Sequence, residues 1–362
     1  TPLSSSAASD VYKRQNLSYT DEQNLLRDSV SKFCGSDYDF ETRMKSVNSD
    51  HGHNPEHWKL FAELGWLAIP FSEELGGLDG GDVDLSLMFE EFGKSIVVEP
   101  YLANVVLSGG VLKRSDLGNK TEIIEQLIAG ERQVSLANYE PQKGFNLDNV
   151  DCEISDDGSV SGLKTTVLNA PNADFFLVFG KHQAGHAFAL ISKDAEGLKV
   201  TSYKTYDGFV SGDLHLENCK ADAVFSKSDA LDILHQAILE GIICVSSEAI
   251  GAMETCYKLT IEYTQQREQF GQSLSKFQAL QHRMVDMFME TEFSKSFLLK
   301  VLATDDENER TKLIYGLKNQ VAKAGKYVGE EAVQLHGGMG VTQEMSVACL
   351  LYTSDAADDD RG

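Results

Sequence analysis

Apolar residues recur at Leu25, Leu26, Val30 and Phe33, the three-and-four spacing of an amphipathic helix. Thr20-Asp21-Glu22-Gln23 stands ahead of them as a capping box, a hydroxyl acceptor followed three residues later by an amide. Pro55 to Leu64 repeats the pattern, with Pro near its start and Trp58, Phe61 and Leu64 on one face; Gly65 ends it. Trp66 to Pro70 leads into Glu73-Glu74-Leu75-Gly76-Gly77, which reads as a loop. Val83 to Phe92 and Thr121 to Ile128 are further helices. The period changes near Gly130. From Val134 to about Phe225 the chain turns β-like, with Val160 to Leu168, Phe175 to Phe179, Ala187 to Ile191 and Asp213 to Leu216 as strands and Asp156-Asp157-Gly158 as a turn.

The helical period returns after Ser228. Ile233 to Gln266 contains no Pro; Gly241 and Gly251 are its weak points, and Gly251-Ala252 reads as a close-packing spot. Phe277 to about Leu302 and Glu309 to Gly337 follow, with Thr304 to Asn308 a charged loop between them. The chain therefore reads as an α+β multi-domain protein. A helical domain spans 16–130, an antiparallel β domain (a small barrel or sandwich) spans 131–228, and a helical bundle spans 229–348.

With 362 residues the chain is long enough for two or three cores. A formal charge of −24 argues against nucleic acid and against an anionic membrane surface as partners. The six Cys form no CxxC pair and read as free thiols of a reducing compartment. No run of about 18 apolar residues predicts a spanning helix, and no signal peptide is visible, which points to the cytoplasm. The ends differ from the rest. One DNA stretch, read in opposite directions, can encode both Ser5–Gln15 and Cys349–Asp359. It resembles a transposon-type sequencing adapter, so residues 1–15 and 349–362 are expected to be artefacts of assembly.

Two runs carry the chemistry: Arg267-Glu268-Gln269-Phe270-Gly271, and Ala332 to Gly340 with Gln334 and Gly337-Gly338 at its centre. Taken alone, an Arg at a helix end serves the dipole or a surface ion pair. A Gly-Gly-x-Gly stretch is usually a turn, and His336 is a structural hydrogen bonder. In this order, about 65 residues apart in one helical domain, they resemble the flavin-diphosphate grip of the acyl-CoA dehydrogenase family. The likeness extends over nearly all of 16–348. Asp37 to Glu41, Trp58 to Gly77, Val98 to Tyr101, Gly251 to Glu254 and Gln278 to Met287 resemble the small-subunit branch typified by pimeloyl-CoA dehydrogenase.

The resemblance implies an FAD enzyme in which the flavin lies between the β domain and the C-terminal helices and touches a neighbouring subunit. Arg267 would meet the pyrophosphate, which suits a guanidinium fork. Gln269, Phe270, Leu274 and Gln278 would line the same cofactor, and Gln334, Gly337 and Gly338 would hold its diphosphate. At the redox end the family's Thr is Tyr139, its shielding Trp is Thr166 and a further Thr is Leu168. The reaction implied is α,β-dehydrogenation of an acyl-CoA, a dicarboxylyl-CoA for example, and it needs a carboxylate base. One family position for that base falls beyond Met345. The other aligns to Gly241, leaving Glu240, one residue away, as a weak candidate. A homologous acyl-CoA dehydrogenase subunit is therefore the implied partner and source of the base. An electron-transfer flavoprotein is the implied electron acceptor, and a bacterial cytoplasm the implied location. No metal site is expected. The alternative is a non-catalytic homologue that completes its partner's flavin site.

Overall fold

The computed structural model describes residues 19–342. Both adapter-like ends and the base position beyond Met345 lie outside the described residues. Contacts divide the described chain into two units, one of 40–85 and 97–244, the other of 19–39, 86–96 and 245–342.

The first unit begins with α2 (Phe40–Asn48) and α3 (Pro55–Glu63); α1 belongs to the other unit. Asn54 caps α3 through Glu56 N–H, and Trp58 and Phe61 are buried, whereas Leu64 is exposed. The Glu73-Glu74-Leu75 stretch is a single 3₁₀ turn. Two helical segments carry no signal in the apolar spacing. One is α2, a mixed-charge helix whose buried residues are Arg43 and Ser46; Arg43 donates to the carbonyl of Asp207 at 2.7 Å. The other is a π-helical stretch, Leu102–Ser108, that continues into α5 (Gly109–Arg114). A wider turn spoils the 3.6-residue period. Side chains stabilise it: Ser108 Oγ donates to Ala103 O at 2.7 Å, and Asn104 Oδ1 accepts from Val134 N–H at 2.7 Å. Helix α6 (Lys120–Ile128) follows.

The β region forms one eight-stranded sheet. Its strands are β1 (Val134–Ala137), β2 (Glu153–Ile154), β3 (Ser159–Leu168), β4 (Phe175–His182), β5 (Gly185–Ser192), β6 (Leu198–Lys204), β7 (Val210–Lys220) and β8 (Ala223–Phe225). The order is β6-β7-β3-β2-β4-β5-β8, with β1 also on β4. The sheet is mixed rather than purely antiparallel, because β1 and β2 both run parallel to β4. Ile154, Val160, Phe176, Ile191, Leu214 and Leu216 anchor its core.

Helix α7 (Ala230–Gln266) contributes to both units. By length and composition alone it could cross a membrane, but 61% of its apolar window is buried within the fold, as in a core helix. In the second unit, α1 (Asp21–Ser36) carries the expected capping box, with Gln23 N–H donating to Thr20 Oγ1 at 3.2 Å and Thr20 N–H to Gln23 Oε1 at 3.1 Å. Leu25 points to solvent, so the buried stripe is Val30, Phe33 and Cys34. Helix α4 (Asp82–Ser95) meets the later part of α7 backbone to backbone. A Cβ on Gly93 would run into the carbonyl of Glu248, and one on Gly251 into that of Glu90. The close-packing expectation at Gly251 thus has a counterpart at Gly93. Helices α8 (Gln278–Leu302) and α9 (Glu307–His336) complete the unit.

Candidate functional site

Helix α7 ends at Gln266, and Arg267 N–H still donates to Tyr263 O at 2.9 Å. Glu268-Gln269 (β9) then pairs antiparallel with Gln272-Ser273 (β10). The two-residue loop between them is Phe270-Gly271, both left-handed, at φ 55° and 81°. That is the geometry of a tight I′ hairpin, whose first position favours Asn, Asp or Gly. A phenylalanine there is strained. Its ring is nonetheless 90% exposed, touching Phe277 edge-on at 6.2 Å. Arg267 is exposed and its guanidinium has no ion-pair partner among the described residues. Leu274 N–H donates to Arg267 O at 2.8 Å and closes the turn, and Gln278 opens α8, exposed. Arg267, Gln269, Phe270, Leu274 and Gln278 are therefore gathered on one hairpin and its exit.

The second motif lies at the end of α9. Gln334 is exposed. Gly337 adopts φ 60°, ψ −142°, a conformation essentially reserved for glycine. Among the described residues, chain neighbours and nearby helix backbone aside, no atom lies within 4 Å of where a Cβ would stand on Gly337 or Gly338, whereas one on Gly340 would meet Val333 O at 2.7 Å. Packing thus demands glycine only at Gly340; the backbone at Gly337-Gly338 is open for close approach by a ligand. His336 is buried. Its Nδ1 faces the Ala332 carbonyl at 2.8 Å, so that nitrogen carries the proton. Its ring stacks on Tyr263 at 4.4 Å, the residue whose carbonyl receives Arg267 N–H. This stack joins the two motifs, and Tyr263 carried no sequence signal as part of the site.

The β-sheet unit gathers the remaining positions. Thr165 N–H donates to Tyr139 O at 3.0 Å, bringing the Asn138-to-Gln142 segment beside β3. Tyr139 is 41% exposed, Thr166 exposed and Leu168 half-buried. Beneath them Lys164, 0% exposed, meets Glu140 Oε1 at 2.6 Å. The same carboxylate accepts from Cys152 N–H at 3.0 Å and Asp151 N–H at 2.5 Å. Burial pushes Glu140 up, but the Lys164 bond and charge and the two backbone donors outweigh it and hold the carboxyl below its ordinary range. Glu140 directly follows Tyr139, and Lys164 stands two residues before Thr166. Only a Lys at a core-facing strand position could have announced the pairing, since such a lysine must find a partner.

Glu240 is engaged too. Arg114 reaches both its oxygens, at 2.6 and 3.2 Å, and Lys113 donates at 3.0 Å. Burial raises its pKa, but the Arg114 bond and both positive charges prevail and hold it low. At Gly241 a Cβ would stand 2.8 Å from Leu107 Cδ2. Cys34, Cys152, Cys219, Cys244 and Cys256 are buried free thiols, with Cys152 pushed up to about 11 and Cys256 to about 12 by burial. Among the described residues no group of three or more His, Cys, Asp or Glu is placed to hold a metal.

The helical–β–helical order, with no ion-pair partner for Arg267 among the described residues, is matched by one family along both of its helical parts. The N-terminal domain model of acyl-CoA dehydrogenases matches residues 20–131 and the C-terminal domain model matches 231–356. The chain belongs to the acyl-CoA dehydrogenase family, whose members bind FAD. It is 26% identical to a probable acyl-CoA dehydrogenase of Bacillus subtilis, YngJ, over 93% of each chain. Among solved structures it is similar to the ChsE4-ChsE5 complex from Mycobacterium tuberculosis (TM-score 0.85, 24% identity, 95% of this chain and 94% of that one). It is also similar to the FAD complex of PigA (TM-score 0.87, 22% identity, 96% of each). The residues present fit FAD: the open glycine backbone and the unpaired guanidinium suit a diphosphate.

Proposed function

We propose that this chain is the small-subunit type of a heteromeric FAD-dependent acyl-CoA dehydrogenase that introduces an α,β double bond into an acyl-CoA such as a dicarboxylyl-CoA. The observation that carries the reading is the hairpin. It holds Phe270 in a strained, solvent-facing position beside an unpaired Arg267. Strain held at a solvent-facing turn is what a surface made for a cofactor and a second subunit would carry. Arg267, Gln269, Phe270, Leu274 and Gln278 would contact a flavin shared with a homologous acyl-CoA dehydrogenase chain. Gln334, Gly337 and Gly338 would hold the diphosphate.

When bound, FAD supplies the hydride acceptor. The chain must then supply or borrow a base for the α-proton. Glu240, held ionised and occupied by Arg114 and Lys113, is a poor proton acceptor. Position 241 lacks a side chain, and the space before it is taken by Leu107. These two facts favour the second reading, a homologue that completes its partner's flavin site while the partner's carboxylate removes the proton. The electron acceptor would be an electron-transfer flavoprotein and the setting a bacterial cytoplasm. The chain's acidity disfavours nucleic acid as a partner.

Co-expression with a homologous acyl-CoA dehydrogenase chain from the same source tests the reading. The expected product is a yellow complex whose flavin is bleached anaerobically by pimeloyl-CoA and stays oxidised when the partner's base Glu is changed to Gln. Bleaching by this chain alone would overturn the split site.

A further inference from the structure

We propose that Tyr203 provides the aromatic wall at the flavin's redox end that Thr166 lacks. This rests on the reading above, in which Tyr139, Thr166 and Leu168 face the cofactor. Strand β6 is the sheet edge, and Tyr203 pairs with Ser211 of β7, which pairs in turn with Leu168 of β3. Directly paired residues share a face, so Tyr203, Ser211 and Leu168 lie in one row on one face. Lys164 pairs with Leu214 and Val167 with Gly212, so Thr165 and Thr166 together oppose the single residue Asp213. That is a β-bulge, a device that re-aims a strand's side chains.

The bulge leaves Thr166 left-handed at φ 52°, a costly conformation for a β-branched residue. Tyr203 offsets that cost. Its hydroxyl accepts from Thr166 N–H at 3.2 Å and donates to Asp213 Oδ1 at 2.9 Å. The same Thr166 N–H reaches Asp213 Oδ1 at 3.1 Å. For this the ring must lie from the edge strand across β7 towards β3. It remains 37% exposed there. An amphipathic aromatic is thus fastened at its polar tip to the residue that stands where the family carries Trp, and part of its ring stays exposed along the row containing Leu168.

The test is the fluorescence of bound flavin in the purified complex, per flavin retained, with the partner unchanged across the set. An aromatic ring against the isoalloxazine quenches that emission. Tyr203→Leu should raise it severalfold and shift the flavin's midpoint potential, while Tyr203→Phe and Tyr203→Trp stay quenched. Wild-type fluorescence and potential in a flavin-loaded Tyr203→Leu complex would overturn the proposal and reduce Tyr203 to a pin for the bulge. Should Tyr203→Leu not fold, Tyr203→Phe decides instead: emission rising with loss of the hydroxyl alone would count against the ring. A wild-type complex that retains no flavin would overturn the parent reading itself, a result separable from any effect of Tyr203.

Discussion

The rings of Tyr263 and His336 stack 4.4 Å apart at 27°, and through this contact the end of α9 is set against the end of α7. One residue's carbonyl receives Arg267 N–H; the other immediately precedes Gly337-Gly338. The pair therefore ties the Arg267 hairpin to the glycine stretch, with His336 buried and Tyr263 half-buried. Tyr263→Ala and His336→Ala should each lower FAD retention, and the double variant should lose little more than either single, because they share one contact. FAD content after gel filtration measures this. Additive losses would contradict a shared role.

His336 also sets a pH dependence. Burial holds its pKa below 6.5, and Nε2 has no hydrogen-bond partner among the described residues. His53 is likewise lowered by burial. The folded state therefore binds fewer protons than the unfolded chain as these groups titrate. Their contribution to stability is complete above about pH 6.5 and is lost as pH falls through their folded values. Denaturant midpoints should fall on acidification below that point, and His336→Gln should show a shallower fall. An unchanged slope would remove His336 from the account.

Lys164 and Glu140 form a buried pair at the segment that carries Tyr139. Removing one charge from a buried pair typically costs about 3–5 kcal/mol, and Lys164→Met should cost in that range in urea unfolding. Glu140→Gln should cost at least as much, because Asp151 N–H and Cys152 N–H reach different oxygens of the carboxylate, so the amide NH2 would face one of these donors, and Lys164 would stay charged without its partner. A cost well below that of Lys164→Met would contradict this.

Gly93 and Gly251 have no room for a methyl group, since the obstacles are carbonyls rather than movable side chains. Alanine at either position should destabilise by at least the ~1–3 kcal/mol typical of overpacking. Gly35, in α1 with nothing within 4 Å of a Cβ, is the control: Gly35→Ala should stabilise by roughly 0.5–1 kcal/mol. Thermal melts of the three variants decide it.

The helical–β–helical order was legible because most apolar spacing in this chain is local: the Thr20 capping box, the Trp58/Phe61 face and the uninterrupted run to Gln266 all read directly. The π-helical stretch at Leu102–Ser108 was not legible, because its turn is too wide for a 3.6-residue period. Nor were the parallel pairings of β1 and β2 with β4, which depend on contacts between distant segments. The motif residues could be named from sequence. The residues that hold them could not: Tyr263, Asp213 and Tyr203 are ordinary in sequence and acquire meaning only through the stack and the bulge.

The Arg267 hairpin is proposed to grip a flavin within an assembly. The direct measurement is FAD affinity of the heteromeric complex with Arg267→Ala. The side chain has no ion-pair partner among the described residues, so thermal stability of the flavin-free protein should change by no more than about 0.5 kcal/mol. Loss of a charge-assisted phosphate contact of about 1.5–3 kcal/mol should weaken FAD binding roughly 10- to 100-fold. Unchanged FAD affinity in a well-folded Arg267→Ala complex would contradict the account.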